Sequence, residues 1–144
     1  MSPVINVNSP GTRRNQARRT IAELLRQLMV KRQLDDEAKD MAAQIVFCLR
    51  EIANTVDVSC EAWEKRNYFV KADRFRMQWE WAQSAAGNLV QVIVSGSWES
   101  LPQQLANLVP HFADIRVTKM TRSASDWKGR YQQLVQEGNR EHVF

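Results

Sequence analysis

The chain has 144 residues and a formal net charge of +4; 44% of its residues are hydrophobic and 25% are charged. These values fit one globular domain and exclude a disordered chain. No apolar run approaches the roughly 20 residues that cross a bilayer, the N-terminus lacks a signal-peptide pattern, and there are only two cysteines. We therefore expect a soluble, cytoplasmic protein without a disulfide framework and without a membrane partner.

The positive charge is unevenly distributed along the sequence. Residues 1–34 hold seven Arg and Lys against one acid, whereas residues 35–58 hold six acids against two bases. Residues 59–96 and 97–144 each carry only +1. By sequence, the excess positive charge is an N-terminal feature that the following segment partly offsets.

The N-terminal third predicts a flexible arm followed by a helix. Residues 1–9 show no hydrophobic period. Ser9 followed by Pro10 is typical of a helix start, so a first helix is expected from Pro10 to Arg32. Its apolar stripe is Ala17, Ile21, Leu24 and Leu28, widened by Leu25 and Met29.

A second helix is expected from Asp36 to Thr55. Asp35 is a good N-cap, and the acids that follow it suit the positive end of the helix dipole. Apolar residues then recur with alternating steps of four and three, which is a heptad pattern typical of a helix buried on one side. These residues are Ala38, Ala42, Ile45, Leu49, Ile52 and Val56.

The third helix is predicted to be the longest, from about Ser59 to Val94, with Gly96 providing its C-terminal cap. It would measure on the order of 50 Å. A heptad seam of Tyr68, Ala72, Phe75, Trp79, Ala82, Ala86, Leu89 and Ile93 is expected to be core. A second apolar set, Trp63, Val70, Met77 and Trp81, lies on another face and requires a further partner, either the C-terminal segment or another subunit.

Two shorter helices complete the prediction. A fourth helix is expected from Leu101 to Val109, with a capping box of Ser100 and Gln103, and Pro110 ends it. Residues 111–122 are interpreted as an extended connector. A fifth helix is expected from a capping box at Ser123 to about Glu137, ended by Gly138. The fold class is thus all-α, a five-helix, bundle-like single domain over residues 10–138, with a frayed tail over 139–144.

The sequence contains no recognisable catalytic or metal-binding pattern. His111 and His142 have no cysteine or carboxylate at a ligand spacing, and Cys48 and Cys60 are interpreted as packed side chains, Cys60 near a helix cap. No glycine-rich phosphate loop occurs, because the five glycines are isolated. We expect a protein that is not an enzyme, with no catalytic residues, no cofactor and no metal.

Two features nevertheless suggest contacts with a partner. The first is an arginine cluster on the first helix, which either contacts phosphates or docks on the acidic start of the second helix. The second is a stretch in which aromatic and basic residues alternate, as occurs in single-stranded nucleic-acid sites and in protein interfaces. The candidate contacts are Arg13, Arg14, Arg18, Arg19, Arg66, Arg74 and Arg76, and the candidate interface aromatics are Trp63, Phe69 and Trp81.

The leading functional hypothesis is a non-enzymatic helical protein-interaction or assembly subunit, with a protein partner or self-association. The surplus apolar surface of the third helix motivates it. The alternative is a basic helical nucleic-acid-binding protein or a small subunit of a nucleoprotein complex. Arginines that are paired with acids inside the fold would weigh against that alternative.

Overall fold

The computed structural model describes residues 9–141, and side chains as far as Asn139. Most of the predicted arm, residues 1–8, and the end of the tail, residues 142–144 with His142, lie outside the described residues. Within this range the fold has five α-helices and no strand, which confirms the predicted all-α single domain. The helices are α1 (Pro10–Val30), α2 (Asp36–Glu64), α3 (Phe69–Ser95), α4 (Leu101–Leu108) and α5 (Arg130–Glu141). None of these five is both long and apolar enough to cross a membrane.

The first two helices start where their caps predict. The hydroxyl of Ser9 accepts a hydrogen bond from the backbone N–H of Thr12 at 3.2 Å, and the Asp35 carboxylate accepts one from the backbone N–H of Ala38 at 2.8 Å. The first helix stops at Val30 rather than Arg32, since Lys31 is already extended. The Lys31 ammonium then binds Asp35 at 2.9 Å, across the reversal of the chain.

Helix α2 lies at the centre of the fold and packs against α1, α3 and α5. All six residues of its predicted heptad seam are buried, as are the predicted α1 residues with one exception. The exception is Met29, which is 67% exposed. Its position in the last turn of α1 places it between two surface grooves rather than against α2, so it widens the apolar stripe without being buried.

The boundary between α2 and α3 was predicted in the wrong place. The sequence favours a break near Ser59, but α2 continues to Glu64 and is longer than α3. Val56 and Cys60 are one turn apart and both buried against Ala72 of α3, so apolar packing outweighs the local capping preference of Ser59. Cys60 accordingly lies inside a helix rather than near a cap.

The observed turn between these helices comprises residues 65–68. Asn67 adopts a left-handed conformation (φ 65°), and the backbone N–H of Tyr68 donates to the Trp63 carbonyl at 2.9 Å. Tyr68 therefore precedes α3 and is 53% exposed, which overturns its predicted place in the core seam. From Ala72 onwards the seam faces inward, with Phe75 and Trp79 half-buried and the other members buried.

The C-terminal half differs from prediction mainly at helix ends. Helix α4 buries its predicted leucines, but the Ser100 side chain makes no capping hydrogen bond. The capping box of Ser123 and Asp126 is present, yet it opens a 3-10 turn (Ala124–Asp126), and α5 begins only at Arg130. Gly138 does not end α5, which continues to Glu141.

The segment before that turn is the predicted connector. A 3-10 turn (Val109–Phe112) directly follows α4, and residues 113–123 contain no helix or strand. The predicted connector over residues 111–122 therefore has no regular element from residue 113 onwards, whereas its first two residues belong to the 3-10 turn.

The left-handed Asn67 generates a first prediction. Replacing Asn67 by Val should lower the free energy of unfolding by about 1–2 kcal/mol, because a β-branched residue resists positive φ. Replacing Asn67 by Gly should leave stability unchanged or raise it slightly, since glycine adopts this conformation freely. Urea unfolding monitored by tryptophan fluorescence measures both variants. Equal stability of the two would contradict the left-handed turn.

Candidate functional site

The arginines of α1 bind the connector rather than facing solvent as a group. The Arg18 guanidinium donates to both carboxylate oxygens of Asp114, at 2.6 and 3.0 Å, and to the carbonyl of His111 at 3.0 Å. Arg19 donates to the Lys119 carbonyl at 2.6 Å. Two turns further on, Arg26 donates to another connector carbonyl, that of Val117. Three of the α1 arginines thus hold the connector against the helix.

The two arginines nearest the start of α1 bind the long helices. Arg13 pairs with Glu51 of α2 at 2.6 Å. The Arg14 guanidinium lies 4.8 Å from the centre of the Phe75 ring and 5.5 Å from that of Trp79, both on α3. None of the α1 arginines forms an ion pair with the acidic start of α2, where Asp35 and Glu37 bind Lys31 instead.

The carboxylate of Glu23 is the best-connected acid of this arrangement. Glu23 is fully buried and accepts hydrogen bonds from the backbone N–H groups of Thr121 (2.7 Å) and Arg122 (2.9 Å), from the Thr121 hydroxyl and from Arg19 at 2.7 Å. Burial alone would raise the pKa of Glu23, but these hydrogen bonds outweigh it and lower the pKa to about 2. The charged Glu23 carboxylate therefore binds the end of the connector to α1.

Sequence reasoning found only part of this network. It identified Glu23 as a helical partner of Arg19, which the structure confirms. One further feature of the sequence indicates a buried charge. Glu23 lies directly between Ala22 and Leu24, which are both on the buried side of α1. The donors, Thr121 and Arg122, are almost 100 positions away along the chain, and no local pattern connects them to α1.

Aromatic side chains form a continuous row from α2 along α3. Trp63 meets Phe75 edge-on with ring centres 5.1 Å apart, and Trp79 lies between Phe75 and Trp81. Trp81 stacks on the His111 ring at 3.8 Å, and burial lowers the pKa of that histidine. Two of the three candidate interface aromatics, Trp63 and Trp81, are thus largely engaged within the fold.

The third candidate, Phe69, belongs to an exposed end of the molecule that we call the tip, residues 65–74. Tyr68 and Phe69 are each 53% exposed and Val70 is 64% exposed, so three large apolar side chains adjoin one another at the surface. Met77, two turns beyond Val70 on α3, is 73% exposed. An apolar surface of this kind on a water-facing turn is typical of an interaction site.

The tip also carries a net positive charge. Residues 65–74 contain Lys65, Arg66, Lys71 and Arg74 against a single acid, Asp73, a local charge of +3. Within the described residues none of these four cations forms an ion pair; Lys71 lies 4.4 Å from the centre of the Trp63 ring. Candidate residues Arg66 and Arg74 therefore remain available for contacts, whereas Arg76 pairs with Glu64 at 2.6 Å.

The geometry of the tip is held by backbone and ionic contacts. The backbone N–H groups of Arg66 and Tyr68 both donate to the Trp63 carbonyl at 2.9 Å. The Arg76–Glu64 pair joins α3 to α2 just behind the turn. A turn that is ordered in this way loses little entropy when it binds a partner.

The cysteines are packed side chains. Both are buried, and burial raises the pKa of the Cys48 thiol to about 12. The Cys60 thiol lies 3.4 Å from the Ala72 carbonyl, to which it donates. In the part of the chain that the structure describes, no three His, Cys, Asp or Glu residues are grouped closely enough to hold a metal ion.

Comparison with known proteins adds no further constraint: no family model matches the chain, and no match was found among curated proteins or solved structures.

The buried Glu23 carboxylate generates a second prediction. Replacing Glu23 by Gln should lower the free energy of unfolding by about 2–4 kcal/mol, because an amide cannot accept all the hydrogen bonds that the carboxylate receives. The matched control is Glu37→Gln, which changes a half-exposed acid 3.2 Å from Lys31 and should cost below about 0.5 kcal/mol. Denaturant unfolding of both variants measures the two changes in free energy of unfolding. Equal losses would show that the hydrogen bonds of Glu23 contribute little to stability.

The lowered pKa of Glu23 predicts that the stability of the fold depends on pH. The pKa of Glu23 falls from 4.5 to about 2 on folding, so its contribution to stability is present above pH 4.5 and is lost as the pH falls towards 2. The full loss is about 3 kcal/mol, at about 1.4 kcal/mol per pKa unit. Wild type should therefore lose stability more steeply than Glu23→Gln between pH 4.5 and 2.5 in thermal unfolding. Parallel curves would contradict a carboxylate that is charged in the folded state.

Proposed function

We propose that this chain is a non-enzymatic helical interaction protein that binds an anionic, partly apolar protein surface through its tip. The observation that carries the proposal is the coincidence at one ordered turn of three exposed apolar side chains and a local charge of +3. Apolar contact would supply affinity, and the cations would select acidic partners and speed their association.

The mixture of side chains favours a protein over a nucleic acid. Stacking on bases requires aromatic faces, which Tyr68 and Phe69 offer, but the most exposed members of the surface are the aliphatic Val70 and Met77. These two contribute nothing to stacking and fit the apolar side chains of a protein.

The disposition of the arginines supports the same choice. Phosphate tracking would require a row of available cations. Arg13, Arg18 and Arg19 instead pair with Glu51, Asp114 and Glu23.

The test uses two fluorescently labelled probes, an acidic amphipathic peptide of Glu and Leu residues and a single-stranded oligonucleotide. We expect the peptide to bind more tightly, with modest weakening between about 50 and 200 mM salt. Phe69→Ser combined with Val70→Ser should weaken peptide binding by about tenfold or more. The control is Met120→Ser, which removes an apolar side chain of similar type that is 39% exposed on the connector and should leave binding unchanged.

Fluorescence anisotropy distinguishes the outcomes. Tight oligonucleotide binding that falls steeply with salt and requires Tyr68 and Phe69 would overturn the choice of a protein partner. Failure of both probes to bind, with circular dichroism showing a folded protein, would contradict the proposed role of the tip.

A further inference from the structure

A second apolar surface without a partner in the described structure lies at the opposite end of the molecule. It is a groove of about 460 Å³ between the end of α1, the α1–α2 loop and the start of α4, which we call the base groove. Met29 (67% exposed) and Leu34 (42% exposed) form one wall. Trp98, Leu101 and Leu105 belong to the opposite wall. A volume of this order suits a few large apolar side chains.

The surroundings of the base groove carry the opposite charge to the tip. Four acids, Asp35, Asp36, Glu37 and Glu99, lie in or next to the segments that line the groove, together with the bases Lys31, Arg32 and Lys39, which leaves a local charge of −1. Lys31 is already occupied, since its ammonium lies 2.9 Å from Asp35 and 3.2 Å from Glu37. Asp36 and Glu99 form no ion pair within the described residues and are exposed.

The two surfaces cannot meet within one molecule. Helix α3 runs from the tip to the end that holds the base groove, and its 27 residues span about 40 Å. Any contact between the tip and a base groove must therefore join two molecules.

We propose that the tip of one molecule docks into the base groove of a second copy, so that copies associate head to tail. This inference rests on the proposed function of the tip and names a second copy as its partner. Tyr68, Phe69 and Val70 would enter the groove, while the cations beside them approach Asp36 and Glu99. A symmetric contact between two tips is disfavoured, because it would bring two surfaces of charge +3 together.

The arrangement has a consequence for assembly. A head-to-tail contact leaves one free tip and one free base groove on every dimer, so addition continues into chains unless a ring closes. The average mass should then rise with concentration instead of stopping at twice the monomer mass of 16.7 kDa.

The experiment is size-exclusion chromatography with light scattering at about 50 mM salt, using one variant for each surface. The tip variant is Phe69→Ser with Val70→Ser. The base variant is Met29→Lys with Leu34→Lys, which adds repulsion at exposed positions. Wild type should form species above the dimer, and each variant alone should be monomeric. An equimolar mixture should form a 1:1 heterodimer and nothing larger, because only one complementary pair of surfaces remains.

A further variant tests the electrostatic component. Arg32 is the one cation lining the base groove without an ion pair in the described structure, and it would repel an incoming tip. Arg32→Glu should therefore strengthen association several-fold, whereas Asp36→Lys should weaken it by a similar factor. Circular dichroism confirms that each variant is folded.

Two results would overturn the inference. One is a monomeric wild type at about 500 µM, a concentration at which even weak association is detectable. The other is a base variant that still dimerises alone, which indicates contact between tips. If wild type is monomeric but its tip binds the acidic peptide, the head-to-tail inference fails and the proposed function stands. If the tip binds neither the peptide nor a second copy, both fail.

Discussion

The Glu23 carboxylate, fully buried in α1, accepts hydrogen bonds from two backbone N–H groups of the connector, and much of the fold relies on this contact. A buried charge is unfavourable unless its hydrogen bonds are satisfied, so the connector and α1 specify each other's positions. The connector leads directly to Trp127 and α5, which pack on α2. Without the contact, the end of the connector would lose the hydrogen bonds that attach it to the polar side of α1.

Because the arginines of α1 bind groups within the fold, the charge distribution along the sequence differs from the charge available at the surface. The seven bases of residues 1–34 suggest a cationic N-terminal surface. In the folded protein, most of these arginines bind acids, carbonyl groups or aromatic rings. At the tip, by contrast, Lys65, Arg66 and Arg74 have no ion pair among the described residues. The functional proposals accordingly depend on where charge remains uncompensated, not on where it is concentrated along the chain.

How much of the fold could be predicted depends on the range of the interactions. The α2 seam and the caps at Ser9 and Asp35 were read correctly, because helix periodicity and capping involve residues within a turn or two of one another. The turn before α3 was misplaced because Ser59 is a good local cap, yet burial of Cys60 against Ala72 keeps the helix intact. Of the candidate site, Phe69, Arg66 and Arg74 follow from the alternation of aromatic and basic residues, and Val70 and Met77 from the second apolar set. Tyr68 does not, since its exposure results from the displaced turn.

The sequence by itself determined that the chain is helical, which faces of α1 and α2 are apolar, and that aromatic and basic residues accumulate near residues 63–81. Each of these properties is set by the spacing of neighbouring residues. Only the tertiary structure decided which arginines are engaged, which aromatics are covered and which two apolar surfaces have no partner in the described fold. Those outcomes depend on packing between residues separated by tens of positions, such as Trp81 with His111 and Glu23 with Thr121. No local pattern in a single sequence encodes such pairs.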